Sequence, residues 1–373
     1  MKDKFKITGA AARSKTEFAI GLNIFPLDAE DPYTILLTYD GTLDQPWSRS
    51  DANRNLSDIT DSKDIYFGLS DEEFVYTFDD KGLNSEEIKG MGIHADNATE
   101  GAGLAIHTIE STVFIAGQGR QVYRQKDKDK WEKLPIDGMI PGEKQKDVDL
   151  KSIDGSSEKD LIICGETLKA SHFNRELQNK MNDAIDADDD DELLRLIKIK
   201  NQEKPKPEGR AYHYDGSDWT QIDVEDYFPK TVFVDSQNRA WLGCDKGTML
   251  QIERDEDGEF DVDDIEIIED SRTDIYSITE FQGRLIMASS EGLFAYDENF
   301  ESLEDEIVRI KPKLNKKLHT KPSPLKVQAV DDVMYYFDYN LGIYIWDGDK
   351  TWTNIPIPPE LLEREFKGLK SEN

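Results

Sequence analysis

The sequence predicts an all-β fold, a β-propeller of seven blades with six as the alternative, and three observations lead there. The first is the stretch from Phe233 to Leu250. It reads as a strand, a polar tight turn, a buried apolar strand, a second turn closed by glycine, and a third strand, which is three quarters of an antiparallel four-stranded sheet. The second is recurrence. Apolar second strands begin near Ile65, Val113, Leu161, Ala240, Leu285 and Met334, in steps of 45 to 49 residues with one outlier of 79. Gly247, Gly292 and Gly342, which close the turn before the third strand, lie 45 and 50 residues apart. A period of about 40 to 50 residues with four short strands per unit is that of one propeller blade. The third is a tryptophan ruler: Gly119 leads to Trp131 and Leu134, Gly209 to Trp219 and Ile222, Gly342 to Trp352 and Ile355.

Taken in order, residues 1–60 are irregular, but Phe18-Ala19-Ile20-Gly21-Leu22 and Thr34-Ile35-Leu36-Leu37-Thr38-Tyr39 supply strands for the seventh unit. The other six units follow from Ile65 onward. Residues 1–360 are expected to form one propeller domain and 361–373 a C-terminal tail.

The unit at Asp235-Ser236-Gln237-Asn238-Arg239-Ala240-Trp241-Leu242-Gly243-Cys244-Asp245-Lys246-Gly247 resembles the short repeat of the sensor propellers of bacterial two-component regulators. That pattern runs Asp, polar turn, Trp-aliphatic-Gly, then a strand led by Gly. The resemblance is good in this unit and partial in the others, and it implies fold rather than function. The chain shows no kinase part or membrane anchor of such sensors, so signalling is not carried over.

The 79-residue step locates a departure from the repeat. Between Leu161-Ile162-Ile163-Cys164-Gly165 and Gly209-Arg210-Ala211-Tyr212-His213-Tyr214 lie residues that do not read as strand. Leu177, Met181 and Ile185 recur at helical spacing, and Leu193, Leu194 and Ile197 make a second stripe, with Asp188, Asp189, Asp190 and Asp191 in the bend between them. Lys204-Pro205-Lys206-Pro207 stops the second helix. The expectation is a helical hairpin over 167–208, inserted between the second and third strands of one blade. With first strands at the channel, it stands on the face where the blade-to-blade connections also emerge.

Composition restricts the partners. The net charge of −32, from 46 basic and 78 acidic residues, repels nucleic acid and anionic membranes, so a protein partner is expected to be basic. Arg309 to Lys326 opposes this charge; it contains Lys311, Lys313, Lys316 and Lys317 and no acid, and joins the last two blades on the hairpin face. Cys164 and Cys244 sit in apolar strands of two repeats, which suits buried reduced thiols and a reducing compartment. Met1 to Ile7 has basic residues without an apolar run behind them, and no stretch reaches the ~18 apolar residues of a membrane span. The chain reads as soluble and cytoplasmic.

Enzymatic constellations are poor. His94, His107, His172, His213 and His319 show no ligand spacing, and neither a phosphate loop nor a nucleophile elbow occurs. Ser236 to Trp241 departs from the aspartate box of sialidases by its Asn and its missing Gly. Glu253, Asp255, Asp257, Gly258 and Asp264 match a calcium loop only loosely and read better as an acidic hairpin turn. No cofactor or metal is expected. The preferred reading is a non-enzymatic protein-binding propeller, in its most specific form an inhibitor or immunity protein for a basic toxin-like partner. Asp188–Asp191, Leu193, Leu194, Ile197 and the four lysines are its candidate contacts. The alternatives are a propeller hydrolase or lyase acting on a sugar or lactone, and a scaffold subunit.

Overall fold

Alternating apolar residues in short runs bounded by turn residues can bury one face only by packing sheet on sheet, and the computed structural model resolves this as seven four-stranded antiparallel sheets. It describes residues 4–25, 32–92, 101–127, 130–136, 148–167, 180, 192, 194–196, 207–254, 258–267, 273–289, 291–297, 307–310, 323–340, 342–348 and 352–363. The blades occupy 4–52, 56–87, 103–133, 148–222, 229–266, 275–310 and 324–354, each with its strands paired in chain order. Seven blades are therefore present, and the irregular N-terminal stretch is a complete one.

The first strand of each blade packs against the first strands of its neighbours around the ring, and the last of them, Pro324–Val330, meets the first, Lys4–Ser14. First strands thus line the channel. Closure needs no strand exchange, since blade 1 is wholly N-terminal and blade 7 wholly C-terminal in origin. Instead a cluster spans the seam, with Ile7, Phe18, Ile20 and Leu37 against Tyr335, Phe337 and Ile343. The Ala12 N–H donates to Gln328 Oε1, and Gln328 Nε2 donates back to Ala12 O.

Both cysteines are free, buried and members of one cluster between blades 4 and 5. Burial pushes both thiols well above their ordinary pKa, so the reactive thiolate is scarce. Native protein should label slowly with a disulfide-exchange reagent and quickly once unfolded; rapid native labelling of either thiol would contradict this placement.

The helical hairpin is not supported as a unit. The long connection does leave blade 4 between its second strand, Asp160–Thr167, and its third, Glu208–Tyr214. Within it Lys180, Glu192, Leu194, Arg195 and Leu196 are described as helical and Pro207 as irregular; residues 168–179, 181–191, 193 and 197–206 of the expected hairpin lie outside the described residues. The second stripe also needs correction. Leu194 is 57% exposed whereas Leu196 is buried, so the protected side of this turn runs through Leu196. Glu192, one turn before Leu196 on the same side, pairs with exposed Arg195 at 2.7 Å. Glu253, Gly258 and Asp264 lie in the hairpin between the third and outer strands of blade 5, as the acidic-turn reading expected. Among the described residues no helix is long and apolar enough to cross a membrane.

Candidate functional site

An inner strand pairs on one side only, which leaves N–H groups facing the channel that need acceptors. Side chains of the preceding blade supply them. Val232 N–H donates to Ser152 Oγ at 3.1 Å and Val234 N–H to Asp154 Oδ2 at 2.8 Å. In the same way Val327 and Ala329 donate to Ser277 and Thr279 at 3.1 and 3.0 Å, and Ile106 to Asp58 at 3.3 Å. A sequence pattern lies behind this: polar residues at alternate positions, Ser152 and Asp154 or Ser277 and Thr279, fall on one face of a strand.

Each inner strand also carries one extra residue against its partner strand near its start. These bulge residues are Thr8, Ser57, Leu104, Lys151, Lys230, Tyr276 and Leu325. A bulge re-aims a side chain, and seven at equivalent places form a ring at the channel end from which the long connection departs. Lys151, Lys230, Tyr276 and Leu325 line the channel cavity of about 590 Å³.

Glu166, one residue before the last ladder pair, joins Lys151 and Lys230, with its Oε2 accepting from Lys230 at 3.1 Å and its Oε1 from Lys151. Burial works against the Glu166 charge, but the two ammonium groups more than offset it and hold the carboxyl below its usual range. Lys230 is likewise held above its usual range by Glu166 despite burial. The trio is a fixed bridge between blades 4 and 5.

The root of the connection is held beside this trio. Gly165 pairs with Arg210, Glu166 with Gly209 and Thr167 with Glu208. A Cβ on Gly165 would sit 1.9 Å from Asp149 O, and one on Gly209 would sit 1.9 Å from Tyr227 O, so only glycine fits where the chain leaves and where it returns. Buried Arg210 donates to Gly209 O at 2.7 Å and to Glu208 at 2.8 Å. The connection thus springs from a rigid ladder at the channel mouth.

Deeper in the channel stand Asp58, Asp61, His107, Asp154 and Lys326. The carboxylate of Asp58 accepts from Ile59 N and Ile106 N, and Asp154 accepts from Gly155 N and Val234 N and lies 3.3 Å from His107. Burial raises the pKa of Asp58 and of Asp61. The channel is polar rather than plugged by apolar side chains, yet Asp58 and Asp154 each engage both oxygens, one with the next N–H of their own strand and the other with the inner strand of the following blade. No grouping of His, Cys, Asp and Glu able to hold a metal ion occurs among the described residues.

Of the contacts expected from sequence, only Leu194 is described, and it is exposed. Asp188, Asp189, Asp190, Asp191, Leu193, Ile197, Lys311, Lys313, Lys316 and Lys317 lie outside the described residues. The basic segment is rooted on the face of the long connection, between the outer strand of blade 6, Ile307–Ile310, and the inner strand of blade 7. Sequence reasoning missed the Lys151–Glu166–Lys230 trio. Its signal was the recurrence of Lys151-Ser152-Ile153 as Lys230-Thr231-Val232, the same place in two consecutive inner strands.

No family model matches the chain, and no curated protein matches it either. Solved structures do. YCF48 bound to D1 peptide superposes with a TM-score of 0.57 at 8% identity, covering 94% of each chain. The WD40 β-propeller domain of Doa1 gives 0.55 at 8% identity, covering 94% of this chain and 95% of that one. The extracellular domain of the putative one-component system BT4673 from B. thetaiotaomicron gives 0.53 at 11% identity, covering 92% of this chain and 38% of that one. At such identities the likeness concerns fold alone. The chain is a seven-bladed β-propeller, an architecture it shares with the sensor propeller that Asp235 to Gly247 resembles.

Proposed function

We propose that the protein is a non-enzymatic binding propeller that holds a basic protein or peptide on the face bearing the long connection of blade 4. The observation that carries this reading is the root: a connection that the fold does not need to be long leaves a glycine-locked ladder at the channel mouth. A solved structure of similar fold, YCF48, is bound to a peptide, the D1 peptide. The charge of −32 supplies the preference for a cation-rich partner. Acids Asp188 to Asp191 steer the encounter, and Leu193, Leu194 and Ile197 provide the desolvated contacts that slow release.

In its most specific form the partner is a nuclease-like toxin whose active surface is covered, with the propeller in the cytoplasm as the inhibitor. In this reading 1–360 is one domain and 167–208 its binding arm, while Lys311, Lys313, Lys316 and Lys317 pair with acids of the same partner.

Replacing residues 168–206 by a short Gly-Ser loop tests the proposal. The ladder through Thr167 and Glu208 is kept, so the ring should still melt cooperatively, close to the wild-type temperature. Basic proteins captured by the wild type should be lost. A folded deletion variant that keeps every partner refutes the arm, and a variant that cannot fold assigns the connection a structural role.

A further inference from the structure

A second cavity, of about 450 Å³, lies between blades 4 and 5 on the face opposite the long connection. Ile162, Val234, Ala240 and Ile252 line it together with the ring of Phe260. Around it stand three acids, Asp160, Asp215 and Glu253, and three cations, Lys159, Arg239 and Arg254. Their contacts differ in kind.

Asp215 is folded into its own turn, accepting from Ser217 N, Asp218 N and the Ser217 hydroxyl. Asp160 accepts from the Ser156 hydroxyl and bonds His213 Nε2 at 2.6 Å. Glu253 accepts from the side-chain amide of Gln251. Arg239 is held by Asp235 at 2.8 Å. Arg254 and Lys159, by contrast, meet no carboxylate at ion-pair distance among the described residues. The Arg254 guanidinium lies 5.0 Å from the Phe260 ring centroid and contacts His213 Nδ1 at 2.7 Å. A guanidinium has five donors in a planar fork, so its contact with one imidazole leaves donors over.

We propose that this cavity binds a small amphipathic carboxylate, with its apolar body against Ile162, Val234, Ile252 and Phe260 and its anionic group on Arg254 and Lys159. An arginine fork matches a carboxylate geometrically, and the volume is that of a small-molecule site. The carboxylates of Asp160, Asp215 and Glu253 at the rim set the charge limit: they repel any anion, so Arg254 and Lys159 receive a single carboxylate, whereas a dianion such as a phosphate monoester meets twice the repulsion. Nothing in this assignment depends on the long connection, which stands on the other face.

The probe is 3-phenylpropionate, titrated against the full chain by ligand-observed NMR beside its neutral amide. The acid should bind about tenfold more tightly than the amide, the difference expected for a charge-assisted pair. Arg254→Gln, at an exposed position whose loss of the His213 and Phe260 contacts should leave the ring folded with a slightly lower melting temperature, should bring the acid down to the affinity of the amide and leave the amide unchanged. Lys159→Gln should give a smaller loss in the same direction. The proposal is overturned if acid and amide bind equally, if Arg254→Gln leaves acid binding intact, or if the acid shows no binding at about 10 mM, beyond which an affinity has no specific content.

Discussion

Trp241→Ala should destabilise the protein by about 3–5 kcal/mol, the cost of deleting a large aromatic from a packed core, and lower the melting temperature by roughly 5 °C for a chain of this size. Trp241 is fully buried among Met249, Ile275, Ile278, Leu285 and Met287, where blade 5 meets blade 6. Its indole N–H donates to Asp235 Oδ2 at 2.9 Å. The same carboxylate accepts from Gln237 N, Arg239 N and Arg239 Nε, so one acid closes the turn and anchors the indole. Trp241→Phe, which restores most of the volume but not the donor, should recover more than half of the loss.

A pH dependence follows from the same carboxylate. Burial raises its pKa, but the Trp241 and Arg239 donors more than offset this, and the folded value lies below the ordinary one. The stabilisation it provides is present above the unfolded value of about 3.9 and is lost as the pH falls through the lower folded value. Thermal denaturation between neutral and acid pH should therefore show a steeper acid loss in the wild type than in Asp235→Asn. Parallel curves would contradict the role of the carboxylate.

Phe18→Ala should cost a similar amount, about 3–5 kcal/mol, but with a different consequence. Phe18 is fully buried at the seam, stacked on Tyr39 at 4.8 Å and meeting Tyr335 and Phe337 of blade 7 at 5.6 and 6.0 Å. Because no strand is exchanged between blades 1 and 7, the ring there depends on side chains and a few hydrogen bonds. Weakening them should let the two terminal blades open below the global unfolding free energy. Hydrogen exchange should then accelerate in 4–52 and 324–354 while blades 4 and 5 stay protected. Equal acceleration in every blade would show that the seam is no weaker than the other interfaces.

The blade count was legible because each ruler marks one recurring place in the blade. Gly247 takes a φ of 75° and Gly292 a φ of 131° at the entry to the third strand, and Trp131, Trp219 and Trp352 all stand in outer strands. Blade 1 looked irregular because Thr34 opens its third strand without a preceding glycine, and the tryptophan ruler was not extended to Trp47, the first residue of its outer strand. The bulge ring was not legible, since an extra residue in a strand appears only when its partner is known. Glu166 escaped for a related reason: its role depends on Lys230, 64 residues away. Arg254 and Lys159 are two cations among many until Phe260 and His213 are seen beside them.

The central claim, a binding face whose acids act through long-range attraction, is tested most directly by association kinetics with a partner captured by the wild type. Rates should be measured over a range of ionic strength for the wild type and for a variant with Asp188, Asp189, Asp190 and Asp191 all changed to Asn. The account predicts wild-type association that slows as salt rises, a variant that associates about tenfold more slowly at low salt with a flatter dependence, and nearly equal dissociation rates. Association with the same rate and salt slope in both proteins would contradict it.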